Sequence, residues 1–480
     1  MSDGDDRRAG RPRFLARETG ALIDRQRRIL DAHEDRFEAA KALVRHLGAR
    51  WQPEDGHAEV GFWTPGLVGA VPADAVELEV LTAREPVDLR AEEATVEFDR
   101  ATVETRREGG FTWAAVEGMH PGTRDRLGSL YRLVYEHGGE RGEVPDPLAA
   151  SLPFGAFAPA ELYDLERLDR ERPDREYFRT LGTDEEAVPT SEDDGLPRVE
   201  PATSMLEIHP GTATGAGSLA GLARRFREIA EKQRAGEALA PADRNFLGYD
   251  AVQLMPVEPI TENEDHPGYF RADDLSGDRV EVTVERPDMV NWGYDIVVSG
   301  FPAVNPAILE TGRPDELVEF IAACHDMPRP VRVVFDVALG HADDGGLDLL
   351  PERFFSGPGM YGQELDYTEP VVRAMLLEMQ RRKMDFGADG IRVDGAQDFT
   401  NWTEERGEWH DDAFLAEMDR VTQAVAGTEY RPWMIYEDGR PWPREDWELA
   451  STYRTLIEQH PHAFQWSPVT FAHNTPALLT

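Results

Sequence analysis

Residues 386–399 read FGADGIRVDGAQDF. Within this stretch GIRV has the apolar, β-branched character of a short strand, and a strand sends alternate side chains to the same face. Arg392 and Asp394, two positions apart, therefore point the same way, while Ile391 and Val393 point to the other side. A cation and a carboxylate aimed together from a strand whose remaining residues favour burial pose a problem of charge burial. A purely structural ion pair is one answer. The other is a functional cavity at the end of the strand.

The neighbouring segments favour the second answer. From residue 202 onward strand-like and helix-like stretches alternate: SMLEIHPGTA, then SLAGLARRFREIAEKQRAG, YDAVQLMPVEP, RPDELVEFIAACHDM, VRVVFDVALGH, EPVVRAMLLEMQRRKMDFG, the opening strand, a helix near 411–426, and PWMIYEDG. Such alternation implies parallel strands covered by helices. A doubly wound sheet and a (β/α)8 TIM barrel both satisfy it. No GxGxxG or GxxxxGK[ST] loop follows a strand, which favours the barrel. Catalytic groups of barrels stand at the C-terminal ends of strands. Asp336 and His341, Arg392 and Asp394, and Glu437 end three successive strands, Gln253 and Glu258 lie on or after an earlier one, and His209 ends the first.

Upstream, residues 14–48 predict helix, with Leu22, Ile29, Phe37, Leu43 and Leu47 on a helical period. Between 57 and 160 the stretches AEVGFWTP, AVELEVLT, ATVEFDR, FTWAAVEG and YRLVYEHGG have the spacing of an all-β sandwich, with Trp63 and Trp113 as core candidates. TDEEAVPTSEDDGLPRVEP, 183–201, is acidic, Pro-containing and almost free of apolar residues, the pattern of a linker. The expected organisation is a helical extension over 1–55, a β-sandwich over 56–182, the linker, and a catalytic barrel over 202–480 that is incomplete at its C-terminus.

Asp and Glu number 92 against 51 Lys and Arg, and only Lys41, Lys232 and Lys383 are lysine. An acidic excess with so little lysine predicts adaptation to a salt-rich cytoplasm, where screening removes most self-repulsion. No basic stripe exists to meet phosphates, so nucleic acid is not an expected partner. Cys324 is the sole cysteine, which excludes an internal disulfide. The N-terminus lacks the apolar segment of a secretory signal, and no membrane-spanning run is present, so a cytoplasmic location without membrane attachment is expected.

Taken together, DVALGH (336–341), GIRVD (390–394), YED (436–438), NWGYD (291–295) and LDYTEPVVRAML (365–376) resemble the ordered segments of the α-amylase clan, glycoside hydrolase family 13. The resemblance implies retaining α-glycoside hydrolysis, with Asp394 as nucleophile, Glu437 as general acid/base and Arg392 holding Asp394 ionised. It implies that Asp336, His341 and Tyr294 bind the sugar at the cleaved position and that Asp295 supports them, with His209 and Asn474 as further substrate contacts. No cofactor and no metal is implied; HADDGG, with Asp343 and Asp344, is the one loop weighed as a Ca²⁺ site.

Residues 57–160 resemble, in pattern, the N-terminal sandwich of the debranching and trehalose-releasing branches. The HPGTATG and AHNTPAL stretches resemble the glucosylglycerol hydrolase group, which implies a glucoside substrate and osmolyte degradation. The rival readings are an α-glucan debranching or trehalose-releasing hydrolase, an inactive carbohydrate-binding barrel, and a transglycosylase or phosphorylase. The chain departs from the clan's pattern at Gly340, where Asn is usual, at Asp398, where His is frequent, and at FAHNTPALLT (471–480), where Asn474 is the nearest match to an Asn-His-Asp segment.

Overall fold

The computed structural model describes residues 11–181, 195–263, 266–343, 345–359, 362–437 and 464–466. Its centre is a sheet of six parallel strands in unbroken chain order: β1 (Met205–Ile208), β2 (Ala251–Leu254), β3 (Arg332–Val337), β4 (Gly390–Val393), β5 (Trp433–Glu437) and β6 (Phe464–Trp466). The helices between them include α1 (Leu219–Ala235), α2 (Asp315–His325), α3 (Pro370–Met384) and α4 (Asp412–Arg420). Consecutive order without reversal differs from a doubly wound sheet, whose order switches direction at its middle.

Alternation along the strands sorts residues onto two unlike faces. Val252, Leu254, Val333, Phe335, Ile391, Val393, Met434 and Tyr436 pack in one large core with the apolar sides of α1, α2, α3 and α4. The opposite face begins with a small apolar layer, Ala251, Val334, Trp433 and Ile435, closed from below by Phe178, Val199, Ala202 and Tyr430. All four helices thus share one face. The other face turns polar towards the carboxyl ends of the strands.

The helices form for local reasons. In α1, Leu219, Leu222, Ala223, Phe226, Ile229 and Ala230 make one buried stripe. Ser218 caps its first turn through the Gly221 N–H, and Gly236, at φ 69°, ends it in the left-handed region that glycine adopts without strain. In α3, Pro370 occupies the first turn and Val372, Met375, Leu376 and Met379 are buried as their spacing predicts.

The predicted N-terminal helix is two, Ala16–Ala32 and Arg36–Val44, because Asp35 accepts from the Phe37 and Glu38 N–H groups and starts a new helix. Lys41 reaches Glu417 of α4 at 2.8 Å and Arg382 of α3 donates to the Leu47 carbonyl at 2.7 Å, so the extension is docked on the helical layer.

All the predicted strands between 57 and 144 form, in two antiparallel sheets. Trp63 and Trp113 are buried, and Trp113 donates to Gln26 at 2.6 Å. Gly61 faces the Trp113 ring; a Cβ there would lie 2.4 Å from it. The sheets exceed the expected 56–182 segment. One takes in Arg13–Phe14 and Gly48–Gln52. The other takes in Phe270–Arg271 and Arg279–Glu285, a hairpin that leaves the parallel unit after β2 and pairs with Glu93–Glu104. Pairing satisfies the backbone of a strand that would otherwise be an open edge. Of the expected linker, 183–194 lies outside the described residues. Pro197 and Val199 hydrogen-bond to the Arg431 backbone, and the Arg198 side chain is buried on Asp419, so 195–201 is seated beneath the sheet. No helix among the described residues is long and apolar enough to cross a membrane.

Candidate active site

The polar face gathers its groups through register. Asp336 of β3 pairs with Arg392 of β4, and Arg392 pairs with Ile435 of β5. Asp394 and Glu437 stand two positions beyond Arg392 and Ile435, so they occupy equivalent places at adjacent strand ends. Gly390 makes room for this stacking, since a Cβ there would meet Val334 at 3.0 Å and Trp433 at 3.2 Å.

One guanidinium ties the carboxyl groups together. Arg392 Nη1 donates to Asp336 Oδ1 at 2.7 Å and Oδ2 at 2.8 Å, and to Asp394 Oδ1 at 2.6 Å; Nη2 donates to Glu437 Oε2 at 2.5 Å. Asp336 is fully buried and also accepts from Gln253 Nε2 and from the Tyr294 hydroxyl, each at 2.8 Å. Asp394 and Glu437 are 21% and 22% exposed, so the end of the cluster opens to solvent while its base does not. Both accept from the same guanidinium, so the two carboxyl groups are neighbours across Arg392. The Gly395 N–H, held at φ 54°, points to Glu437 Oε2 at 3.4 Å.

More negative groups than positive ones meet here, and burial resolves the imbalance by protonation. Burial, and then the charge of Asp394 against that of Arg392, raises the pKa of Glu437. Burial raises Asp336 although Arg392 opposes it. Asp398 is pushed up to about 7, first by burial and then by Asp394, Glu437 and Glu364. Burial therefore keeps Asp336 and Asp398 protonated well above the ordinary carboxylate range.

The first-strand residues connect to the same cluster. His209 Nε2 meets the Asn291 carbonyl at 2.5 Å, Asn291 Nδ2 donates to Asp295 Oδ2 at 3.0 Å, and Tyr294 bonds to Asp336. Asp295 and His209 thus hold the loop that carries Tyr294. His341 Nε2 lies 3.8 Å from Asp343, and burial lowers its pKa, which favours the neutral ring. Asn474 and Asp344 lie outside the described residues. Among those described, no cluster of His, Cys, Asp and Glu is suited to a metal. Glu258 is not at the rim; it is buried against Lys383 at 3.3 Å. Gln253 and Asn291 had no role assigned from sequence. Gln253 carries a usable signal, a polar residue inside an apolar strand, whereas Asn291 acts in a turn, through its carbonyl on His209 and its side chain on Gly293 and Asp295, a pattern that no local periodicity marks.

A helix-backed parallel sheet with an arginine-bridged set of carboxyl groups at its carboxyl edge has the fold of α-amylase-type glycoside hydrolases. The chain belongs to the family described as hypothetical glycoside hydrolase 5, GHL5, which it matches over residues 21–480. Among solved structures, a pullulanase from Anoxybacillus sp. LM18-11 in complex with maltotetraose is similar at 16% identity and a TM-score of 0.52, covering 89% of this chain and 55% of that one. A Salmonella typhimurium protein assigned as an alpha amylase is similar at 18% identity and a TM-score of 0.50, covering 82% and 50%. The chain spans about half the length of these structures. No curated protein matches it.

Proposed function

We propose that the chain is a retaining α-glycoside hydrolase built on a (β/α)8 barrel, with the domains divided as the sequence predicts except that the sandwich extends to the 270–285 hairpin. The observation that carries this reading is the single guanidinium of Arg392 bonded to Asp336, Asp394 and Glu437 at adjacent strand ends.

Asp394 is the nucleophile. Its oxygen attacks the anomeric carbon while Glu437 gives its proton to the departing glycosidic oxygen. The Glu437 carboxylate then takes a proton from water, and that water displaces Asp394 and releases the sugar. Asp394 and Glu437 both bond to Arg392 from adjacent strand ends. Retention needs roughly 5–5.5 Å between the two carboxyl groups across the cleaved bond. Arg392 bonds to Asp394 Oδ1 and orients it, and the raised pKa of Glu437 suits it to carry the proton. Asp336, with Gln253 and Tyr294 fixing it, accepts sugar hydroxyls. His341 and Tyr294 border the same space, and Asn474 remains a proposed contact.

The pullulanase bound to maltotetraose favours an α-glucan fragment as substrate. A second reading is the osmolyte glucosylglycerol in a salt-adapted cytoplasm, favoured by the charge of −41. Incubation of the purified chain in molar salt with maltotriose, pullulan and glucosylglycerol, followed by proton NMR of the anomeric signals, tests both. Release of the α-anomer first supports retention. Release of the β-anomer first, or no release from any of the three, overturns the proposal.

A further inference from the structure

We propose that the cavity between the sandwich and the end of α3 is a second ligand site, and that it takes a carboxylate carried on a flat apolar body. The inference is independent of the glycosidase reading.

The cavity measures about 430 Å³, a size typical of small-molecule sites. It lies where the Gly48–Gln52 strand and Leu148 of the sandwich, the helix Leu165–Glu171 and the end of α3 meet. From there α3 leads into the start of β4, so the cavity is at the amino end of the sheet. Asp336, Asp394 and Glu437 stand at the carboxyl end, and a ligand in the cavity leaves them open.

The walls are largely apolar. Tyr131, Tyr163, Leu168, Val318 and Phe386 line them. The hydroxyls of Tyr131 and Tyr163 are bonded to Asp146 and Asp315, so the two rings are left to offer their faces. A flat aromatic body packs well on such rings. Leu165, 42% exposed, is the open member of the lining and marks the mouth.

The rim is rich in arginine. Arg45, Arg50, Arg172, Arg381 and Arg382 all reach the cavity, in a chain with 92 acidic residues against 51 basic. Four carboxyl groups share the lining, and three are already engaged. Glu161 is bonded to Arg313 at 2.8 Å, Asp169 to the Ala426 N–H at 2.8 Å and Asp385 to Arg381 at 2.5 Å. Glu166, the fourth, is exposed to water. Of the arginines, Arg50 is paired with Glu59, Arg172 with Asp174, and Arg381 and Arg382 with Glu378. Arg45 has no carboxylate partner among the described residues. Its guanidinium is left to take a carboxylate from outside, in the two-pronged geometry these groups share.

The surroundings favour an anion. Arg382 lies across Gly48, which sits at φ 74°, and a Cβ there would be 2.7 Å from Arg382 Nη1. His46 is 3.3 Å from Arg50, and burial, then Arg50 and Arg25, lower its pKa to about 4. The charge of −41 on the whole chain acts over a screening length of about 10 Å at 0.1 M salt, so the adjoining guanidinium groups decide which charge enters.

The test is ligand-observed NMR titration of the full chain with 2-naphthoate and with its neutral analogue 2-naphthalenemethanol, at about 0.1 M salt. Wild type, Arg45→Gln and Leu165→Glu are compared, with thermal unfolding of each. Both residues are exposed and outside the carboxyl cluster, so melting temperatures are expected to match wild type. Wild type binds the naphthoate about ten-fold more tightly than the alcohol. Arg45→Gln removes most of that preference while the alcohol stays within about two-fold, and Leu165→Glu weakens the naphthoate about ten-fold. Should Arg45→Gln melt early, Leu165→Glu decides alone. Naphthoate that does not bind, or binds no more tightly than the alcohol, overturns the site. Naphthoate affinity unchanged in both variants also overturns it, because the ligand then sits elsewhere.

Discussion

Asp336 and Arg392 are register partners on adjacent parallel strands, and their side chains are joined by two hydrogen bonds of 2.7 and 2.8 Å. Register thus sets the first contact of the cluster, and Arg392 distributes its remaining donors to Asp394 and Glu437. With 4% of its side chain exposed, it is the shared cation of the buried group. Removing one partner of such a set leaves uncompensated charge. Arg392→Met is expected to lose about 3–5 kcal/mol of stability and nearly all activity. Thermal unfolding and the rate on the best substrate check this, and a melting temperature equal to wild type would contradict it.

Asp394 and Glu437 are assigned different work, and substitution separates them. Asp394→Asn should lower kcat about a thousand-fold on every substrate, because the covalent bond cannot form. Glu437→Gln should do the same on a natural glucoside but far less on a dinitrophenyl glucoside, whose leaving group departs without a proton. Equal loss of Glu437→Gln on both substrates counts against the acid assignment.

If Glu437 is the acid as proposed, its raised pKa sets the alkaline limb of kcat/KM, and activity is expected to fall as that proton is lost. Asp398 and Glu437 repel each other's charge. Asp398→Asn removes one negative charge, lowers the pKa of Glu437 and moves the alkaline limb to lower pH. A pH–rate profile unmoved by this substitution would exclude the coupling.

A second buried network fastens the base of the sheet. His325 lies between Asp174 at 2.8 Å and Asp389 at 2.9 Å, with the Tyr177 ring stacked 3.6 Å away. Burial works against its charge, but the two carboxylates raise its pKa above 6.5. A raised histidine contributes stability that is complete below its unfolded pKa and lost as pH rises through its folded one. The melting-temperature gap between wild type and His325→Gln is therefore widest below pH about 6.5 and closes at alkaline pH. Asp174 has the opposite sign: against burial, the bonds from His325 and Arg172 pull it down to about 2. Its contribution holds above the ordinary aspartate range and is lost as pH falls through about 2. A gap constant across pH would mean a neutral His325.

The acidic composition carries its own expectation. With 92 acidic against 51 basic residues, self-repulsion opposes the folded state until salt screens it. Melting temperature should rise steadily between 0.1 and about 2 M potassium chloride, where the screening length falls from about 10 Å to under 3 Å. A flat or falling curve would remove the case for salt adaptation.

Much of this architecture is written in local pattern. The period of α3, the apolar faces of β3, β4 and β5, and the polar residue closing each of those strands follow from side-chain alternation and helical spacing, which depend only on near neighbours in the chain. For the same reason Arg392 and Asp394 could be seen to share a face before any partner was known. Three things lay beyond that reach. The pairing of 270–285 with 93–104 joins segments far apart in sequence, and antiparallel strands carry no mark of their distant partner. The break at Asp35 turns on a competition between capping and continuation that packing against α3 and α4 settles. The meeting of Asp336, Asp394 and Glu437 on one guanidinium needs the register of three parallel strands, and register comes from the fit of whole faces against the helices rather than from any residue in the strands.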